Sequence, residues 1–302
     1  MPTILLSLPV FLIIGAGWGF ARFKVSNAVW VHILNQFAYY VALPALIIVS
    51  FWGLQFSDAA TLSVLGWSVL IMTVYMALVL LVLSLTRFSL KTKGALFLIV
   101  TTGNTVYMGF PLVSAFLGKS ALAHGSLVAV VYLILPLLVS IGVVKAWAHH
   151  HRSWGAHFVD FVKNPLFVSS VLGVVMSFVA RSGIAWVWIH SSLSLLAATA
   201  SPVALFALGS FLYKRFLRRD VLLVSVASVI KVMALPVLLV VLGALSLGQS
   251  GALLVLLATM PVAVTTFVIA EKFSLNETLV GNALLVSTVL SFFVIPFVAQ
   301  LL

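Results

Sequence analysis

The sequence predicts an all-α membrane protein of ten transmembrane helices, arranged as two inverted five-helix repeats whose broken fourth members cross. Three observations predict it: an apolar composition, a one-sided distribution of basic residues, and two proline-interrupted spans at matching positions. Hydrophobic residues make up 64% of the 302 and charged residues 7%, where a soluble domain has about 25% charged. Such a chain cannot cover a globular surface with polar groups. It readily supplies spans of about 20 apolar residues.

Apolar runs between polar or basic breaks give the spans in order. The first, about 3–21, stops at Arg22 and Lys24, and the second, about 28–51, carries "YYVALPALIIVSF". The third, about 59–85, starts after Asp58 and ends before Arg87, and the fourth, about 94–117, lies between Lys93 and Lys119. The fifth, about 121–147, leads into the longest loop, 148–164. The sixth, about 165–180, ends at Arg181, and the seventh, about 186–212, carries "TASPVALFALGSF" and ends at Lys214. The eighth, about 221–246, begins after Asp220, a predicted N-cap; the ninth, about 250–271, ends at Lys272, and the tenth is about 277–301. The N-terminal run has no basic residues before it and reads as a retained first span, not a cleaved signal peptide.

Basic residues test this count. Arg22, Lys24, Arg87, Lys91, Lys93, Lys145, Arg152, Lys163, Lys214, Arg215, Arg218, Arg219 and Lys272 follow odd-numbered spans, whereas the other side holds Lys119 and Arg181. That asymmetry follows the positive-inside rule and places both termini outside. It also assigns the net charge of +11 to cytoplasmic loops and not to nucleic acid. Two five-span halves, about 1–147 and 165–302, must then cross the membrane in opposite senses, because each has an odd number of spans.

The fourth span contains "TTGNTVYMGFPLV" (101–113), with Gly103, Asn104, Thr105, Gly109 and Pro111 all poor in a helix. The ninth contains "TMPVAVTTF" (259–267), interrupted at Pro261. Proline removes a backbone donor and clashes with the preceding turn, and irregular backbone at membrane depth is tolerated only inside protein or beside a wet cavity. Interrupted segments at corresponding places in two halves point to a transporter site. Half-helix N-termini converging there favour an anion and C-termini a cation. Asn104, Thr105, Thr265 and Thr266 supply neutral donors and acceptors suited to oxygen-rich ligands.

Lys231 sits about 16 Å along the eighth span, too deep to reach the surface. It either attracts or gates an anion or bonds loose carbonyls at a break. Glu271 falls at the cytoplasmic end of the ninth span, as an interfacial residue or a proton-coupling one. Thr288 and Ser291 either face the site or bond their own helix. No carboxylate lies near the midplane, which argues against a sodium or proton site built on buried acids. Coordination by carbonyls and hydroxyls stays open. The absence of cysteine removes disulfides, thiolate metal sites and cysteine nucleophiles. His149–His151 with His157 reads as a solvated loop, and "GAGWG" (15–19) as close helix packing. A membrane enzyme wants paired acids, a His dyad or a metal cluster at depth, and none is present; a seven-span receptor fails on span count and charge split.

These stretches resemble the auxin efflux carrier family of membrane transporters, including its bacterial malonate-permease-like members, along essentially the whole chain. "GNTVYMGFPLV" (103–113) is similar to the family's Asn-x-x-x-x-Gly-x-Pro break and "MPVAVTTFVIAEKF" (260–273) to its Met-Pro-x-x-x-Asn stretch; Thr265 stands where members often carry asparagine. "FAYYVALPALI" (37–47), "KNPLFVSSVLG" (163–173) and "IKVMALPVLL" (230–239) are also familial. The resemblance implies a fold like that of bile-acid symporters and sodium/proton antiporters, with scaffold spans about 3–51 and 165–212 and mobile transport spans about 59–147 and 221–301. It implies elevator-type alternating access, a small organic anion as substrate, proton or sodium as the candidate coupling ion, and no cofactor. It further implies a homodimer through the scaffold in the lipid bilayer of a bacterial inner membrane. By matching motif, Asn104, Pro111, Pro261 and Thr265 inherit the binding role, with Lys231 beside them; Gly103, Thr105, Met260 and Thr266 at the same breaks complete the candidate substrate-binding set, and Glu271, Thr288 and Ser291 are candidates for coupling or gating. An anion channel or uniporter of the same architecture is the alternative.

Overall fold

The computed structural model describes residues 3–52, 54, 58–148, 162–178, 184–213 and 220–302. His149–His151, Arg152, His157, Arg181 and the Lys214–Arg219 basic run lie outside the described residues. Every extended element among those described is a helix. In chain order these are α1 (Thr3–Arg22), α2 (Ala28–Phe37), α3 (Leu43–Trp52), α4 (Ala59–Leu85), α5 (Leu90–Thr101), α6 (Gly109–Leu117) and α7 (Leu122–Ala148). They continue with α8 (Pro165–Phe178), α9 (Ile184–Leu212), α10 (Val221–Val241), α11 (Gln249–Ala258), α12 (Val264–Lys272) and α13 (Glu277–Ala299). Seven helical stretches, with α2 and α3 taken together, are long and apolar enough to cross a membrane. The chain is an integral membrane protein. The remaining segments are too short singly, because two expected spans are broken and α8 has only 14 residues.

Local chemistry accounts for the ends. Asn27 Oδ1 accepts from the amides of Val29 and Trp30 at 3.0 and 3.1 Å, opening α2. Asn164 Oδ1 accepts from Leu166 N at 2.9 Å, with Pro165 in the first helical position of α8, where its missing N–H costs nothing. Asn276 caps α13 through Leu279 N at 3.1 Å. Asp220 occupies the expected position before α10, but with φ of 53° and no side-chain capping bond, so it turns the chain without capping the helix. Gly243, at φ 79°, ends α10 short of the expected 246.

Between α2 and α3 the helix widens to a π turn over Ala38–Ala42, with Leu43 N bonded to Ala38 O. Pro44 offers no N–H to the Tyr40 carbonyl, and the shifted ladder absorbs that loss. Pro202 occupies the matching place in α9 without such a widening.

Packing falls into two groups. α1 lies along α9, α3 along α8, and α9 also meets α2 and α3. In the second group α4 lies along α7 and α10 along α13, with α5 and α11 packed among them. α1 meets α6 and α13, and α3 meets α7, across the groups. Tight contact in the first group rests on glycine: a Cβ on Gly17 would lie 2.0 Å from the Phe206 carbonyl oxygen, and one on Gly209 would lie 1.9 Å from that of Ile14. Gly15 and Gly19 have open space instead, so the GAGWG stretch packs through its central glycine. The outer surface is apolar, as lipid contact requires: Leu85, Leu195 and Leu222 are 74–80% exposed. By contrast, Gly94–Thr101 of α5 and Gly251–Ala258 of α11 are buried on every side. The half-helices are therefore the core, and their inner ends meet there.

Candidate functional site

The two interruptions meet. Residues 102–108 leave the helix between α5 and α6, and residues 259–263 do so between α11 and α12. Gly103 and Val262 form an antiparallel bridge, and Asn104 N donates to the Pro261 carbonyl at 2.8 Å. Val262 N donates to Ser287 Oγ on α13 at 3.1 Å. The hydroxyls of Thr102 and Thr266 are hydrogen-bonded across the crossing. Thr102 also donates to Leu98 O at 2.6 Å; a hydroxyl has one proton, so Thr266 is the donor between them. Thr105 Oγ1 reaches the Ala129 carbonyl of α7 at 3.4 Å. In this way most groups freed by the breaks are satisfied within protein, as hydrocarbon demands.

One exception lies at the crossing. Asn104 is 3% exposed, and its amide nitrogen has no partner. It lines a cavity of about 20 Å³, room for about one water. Gly103–Tyr107 form one wall, Ala263–Thr265 a second, and Leu43, Leu133 and Leu166 close the remainder. At the start of α12 the amides of Val264 and Thr265 precede any intrahelical acceptor, and no side chain caps this helix end. Their helix end also carries partial positive charge. The lining thus joins Asn104, Thr105 and Thr265 and the first turn of α12 with apolar leucines.

The sequence-predicted residues distribute as follows. Gly103, Asn104, Thr105 and Thr265 line the cavity. Thr266 is turned instead into the hydroxyl bond with Thr102 and is fully buried. Pro261 and Met260 form the crossing through backbone, Pro261 as acceptor and Met260 as a buried residue whose carbonyl faces Gly103. Pro111 sits in the first turn of α6, beyond the break and outside the cavity lining. There a proline removes an N–H that the helix does not use, so Gly103–Met108 make this interruption.

The two half-helix N-termini also differ. Val264 and Thr265, opening α12, line the cavity, while Met108 N and Gly109 N, opening α6, both donate to the Asn104 carbonyl, at 3.3 and 3.2 Å. Glu271 is exposed in the last turn of α12, away from the crossing. Thr288 and Ser291 bond carbonyls of their own helix at 2.7 Å; the residue of α13 that reaches the crossing is Ser287.

Lys231 occupies the middle of α10, 2% exposed. A Cβ on Gly103 would lie 3.1 Å from its Nζ, so the side-chain nitrogen stands directly behind the crossing. Thr102, Ser287, Leu43 and Leu166 are site residues that sequence reasoning missed. Thr102 adjoins the quoted glycine–asparagine break, and Leu43 and Leu166 lie in the familial stretches 37–47 and 163–173, whereas Ser287 had no local signal.

Comparison with known proteins points to membrane transport. A family model described as membrane transport protein matches residues 3–150 and 148–299. An uncharacterized transporter from Methanocaldococcus jannaschii is 23% identical over 296 residues, covering 95% of each chain.

Proposed function

The chain belongs to the membrane transport protein family, the auxin efflux carrier group, and on that premise we propose that it is a secondary transporter of a small organic anion. The substrate is a carboxylate of malonate-like or auxin-like kind. One observation carries this reading: Asn104, whose buried amide nitrogen has no partner, lines the same cavity as Val264 and Thr265 in the first turn of α12. A buried donor left unmatched costs about 1–3 kcal/mol. An anion bound there would recover it.

The transport cycle is of the elevator type. α1, α2, α3, α8 and α9 act as scaffold, while α4–α7 and α10–α13 carry the site. Counting α5 with α6, α11 with α12, α2 with α3, and α8 alone as crossings gives ten, with both termini outside. Exchange of the two halves supports inverted repeats, since α1 on α9 corresponds to α8 on α3, and α4 on α7 to α10 on α13. The cavity lies where Leu43 and Leu166 of the scaffold meet the crossing. At about 20 Å³ it is too small for a carboxylate as it stands, so binding requires it to widen. That supports rigid-body alternating access around a fixed site. The membrane is a bacterial inner membrane, and the scaffold pairs two copies.

Uptake of radiolabelled mono- and dicarboxylates into proteoliposomes, with imposed proton or sodium gradients, tests the reading. Uphill accumulation of one carboxylate, lost in Asn104→Ala, is expected. Flux that only ever runs downhill makes the protein a uniporter or channel. Absence of carboxylate flux overturns the proposal.

A further inference from the structure

Lys231 faces the place where two helices run out. Gly103 lies just past the end of α5 and Met260 just past the end of α11. The Cβ position of Gly103 is 3.1 Å from Lys231 Nζ and 3.6 Å from the Met260 carbonyl oxygen. Lysine and both C-terminal exits therefore surround one point. Each helix C-terminus carries roughly half a negative elementary charge and unsatisfied carbonyl groups. Two of them approach the charge that one ammonium neutralises.

In transporters with broken helices, such ends and the unwound carbonyls beside them coordinate a sodium ion or proton. A sodium site here would ordinarily draw on carboxylates. Among the described residues, Asp58 and Asp220 precede helices, Glu277 opens α13 and Glu271 lies in the last turn of α12. None is in the interior of the crossing. No cluster of His, Cys, Asp or Glu able to hold a metal occurs among the described residues either. Gly103 lines the anion cavity whereas Lys231 does not, so the ammonium acts from behind the crossing and leaves the substrate volume free. Gly103 has a specific use here, because a side chain would press on Nζ.

We propose that the Lys231 ammonium is a resident cation, standing where a coupling sodium would bind, so that this protein holds its crossing together without sodium. Of the two roles open to Lys231 in the sequence, this is the structural one. The word coupling rests on the carrier reading; the electrostatic role does not.

The test is thermal unfolding of the purified full chain in detergent, at constant ionic strength, in sodium chloride or N-methylglucamine chloride. Wild type is expected to melt at the same temperature in both. Lys231→Met, similar in length but uncharged, is expected to melt about 5 °C lower or more in N-methylglucamine and to recover part of that loss in sodium or lithium. A wild-type shift with sodium overturns the proposal, because a separate cation site then exists. Equal stability of Lys231→Met and wild type also overturns it. A loss that no small cation restores overturns it too and leaves Lys231 a packing residue. Should Lys231→Met fail to fold, Lys231→Gln replaces it in the same comparison; should both fail, the wild-type titration decides, sodium insensitivity upholding the proposal. No arm measures anion flux, so the carrier reading and this one fail separately.

Discussion

Gly103 and Val262 pair as an antiparallel bridge where every other named element among the described residues is a helix, with Asn104 N bonded to Pro261 O at 2.8 Å beside them. This contact explains how a membrane span survives a break at its centre. Extended backbone from one half supplies the partners that extended backbone from the other has lost. The two breaks are a single structural unit, and changes to one are felt by the other.

Asn104 is the most diagnostic residue. Its amide nitrogen has no protein partner to lose, so Asn104→Ala should leave the melting temperature near wild type. Half-saturation for the carboxylate should rise about 10- to 100-fold, the loss of a hydrogen bond to a charged group. Parallel melting and uptake curves check both; a large drop in stability with unchanged flux would contradict the assignment.

Adjacent threonines should separate function from stability. Thr265 lines the cavity and Thr266 bonds Thr102. Thr265→Val is expected to weaken uptake with little change in melting. Thr266→Val should cost about 1 kcal/mol of stability with substrate affinity nearly kept. Melting and uptake measured on the two variants side by side read this out.

On α13, Ser287 accepts from Val262 N whereas Thr288 bonds Leu284 O of its own helix. Ser287→Ala leaves a buried amide unsatisfied, at about 1–3 kcal/mol. Thr288→Ala and Ser291→Ala should each cost under about 1 kcal/mol. Denaturation midpoints of the three variants provide the comparison, and a reversed order would relocate the crossing's support.

The prolines should behave differently as well. Pro111→Ala lies in the first turn of α6, where proline costs a helix little, and should keep both stability and uptake. Pro261→Ala adds an N–H at a buried position and is expected to lower stability. Expression and melting of both variants check this.

Close packing sets the strictest limit. A Cβ on Gly251 would fall 1.7 Å from the Ala244 carbonyl oxygen, and one on Gly17 2.0 Å from that of Phe206. Backbone cannot yield as a side-chain tip does, so Gly251→Ala and Gly17→Ala should lower stability by about 3 kcal/mol or more. Gly15→Ala meets open space and should be silent. Yield of folded protein and melting temperature distinguish them.

What was legible in sequence was what the lipid imposes one segment at a time. Runs of apolar residues and the basic residues between them had to follow bilayer thickness and charge asymmetry, so the long helices α1, α4, α9 and α10 begin within about two residues of their expected positions. The break at Gly103–Asn104 was legible for the same reason, because poor helix formers inside an apolar run have only a local explanation. Buried half-helices left no such pattern: α5 and α11 are surrounded on all sides, and a uniformly apolar stretch does not say which neighbour it meets.

Tertiary structure alone decided which polar groups come together. Thr266 rather than Thr265 meets Thr102, Ser287 rather than Thr288 meets the crossing, and Lys231 stands behind Gly103. On a helix, adjacent residues point about 100° apart, so a rotation that no local signal records exchanges a cavity-lining side chain for a buried strut. Composition and charge therefore determined that this chain crosses a membrane and where it is interrupted, whereas the contact of residues more than 150 positions apart determined what those interruptions form.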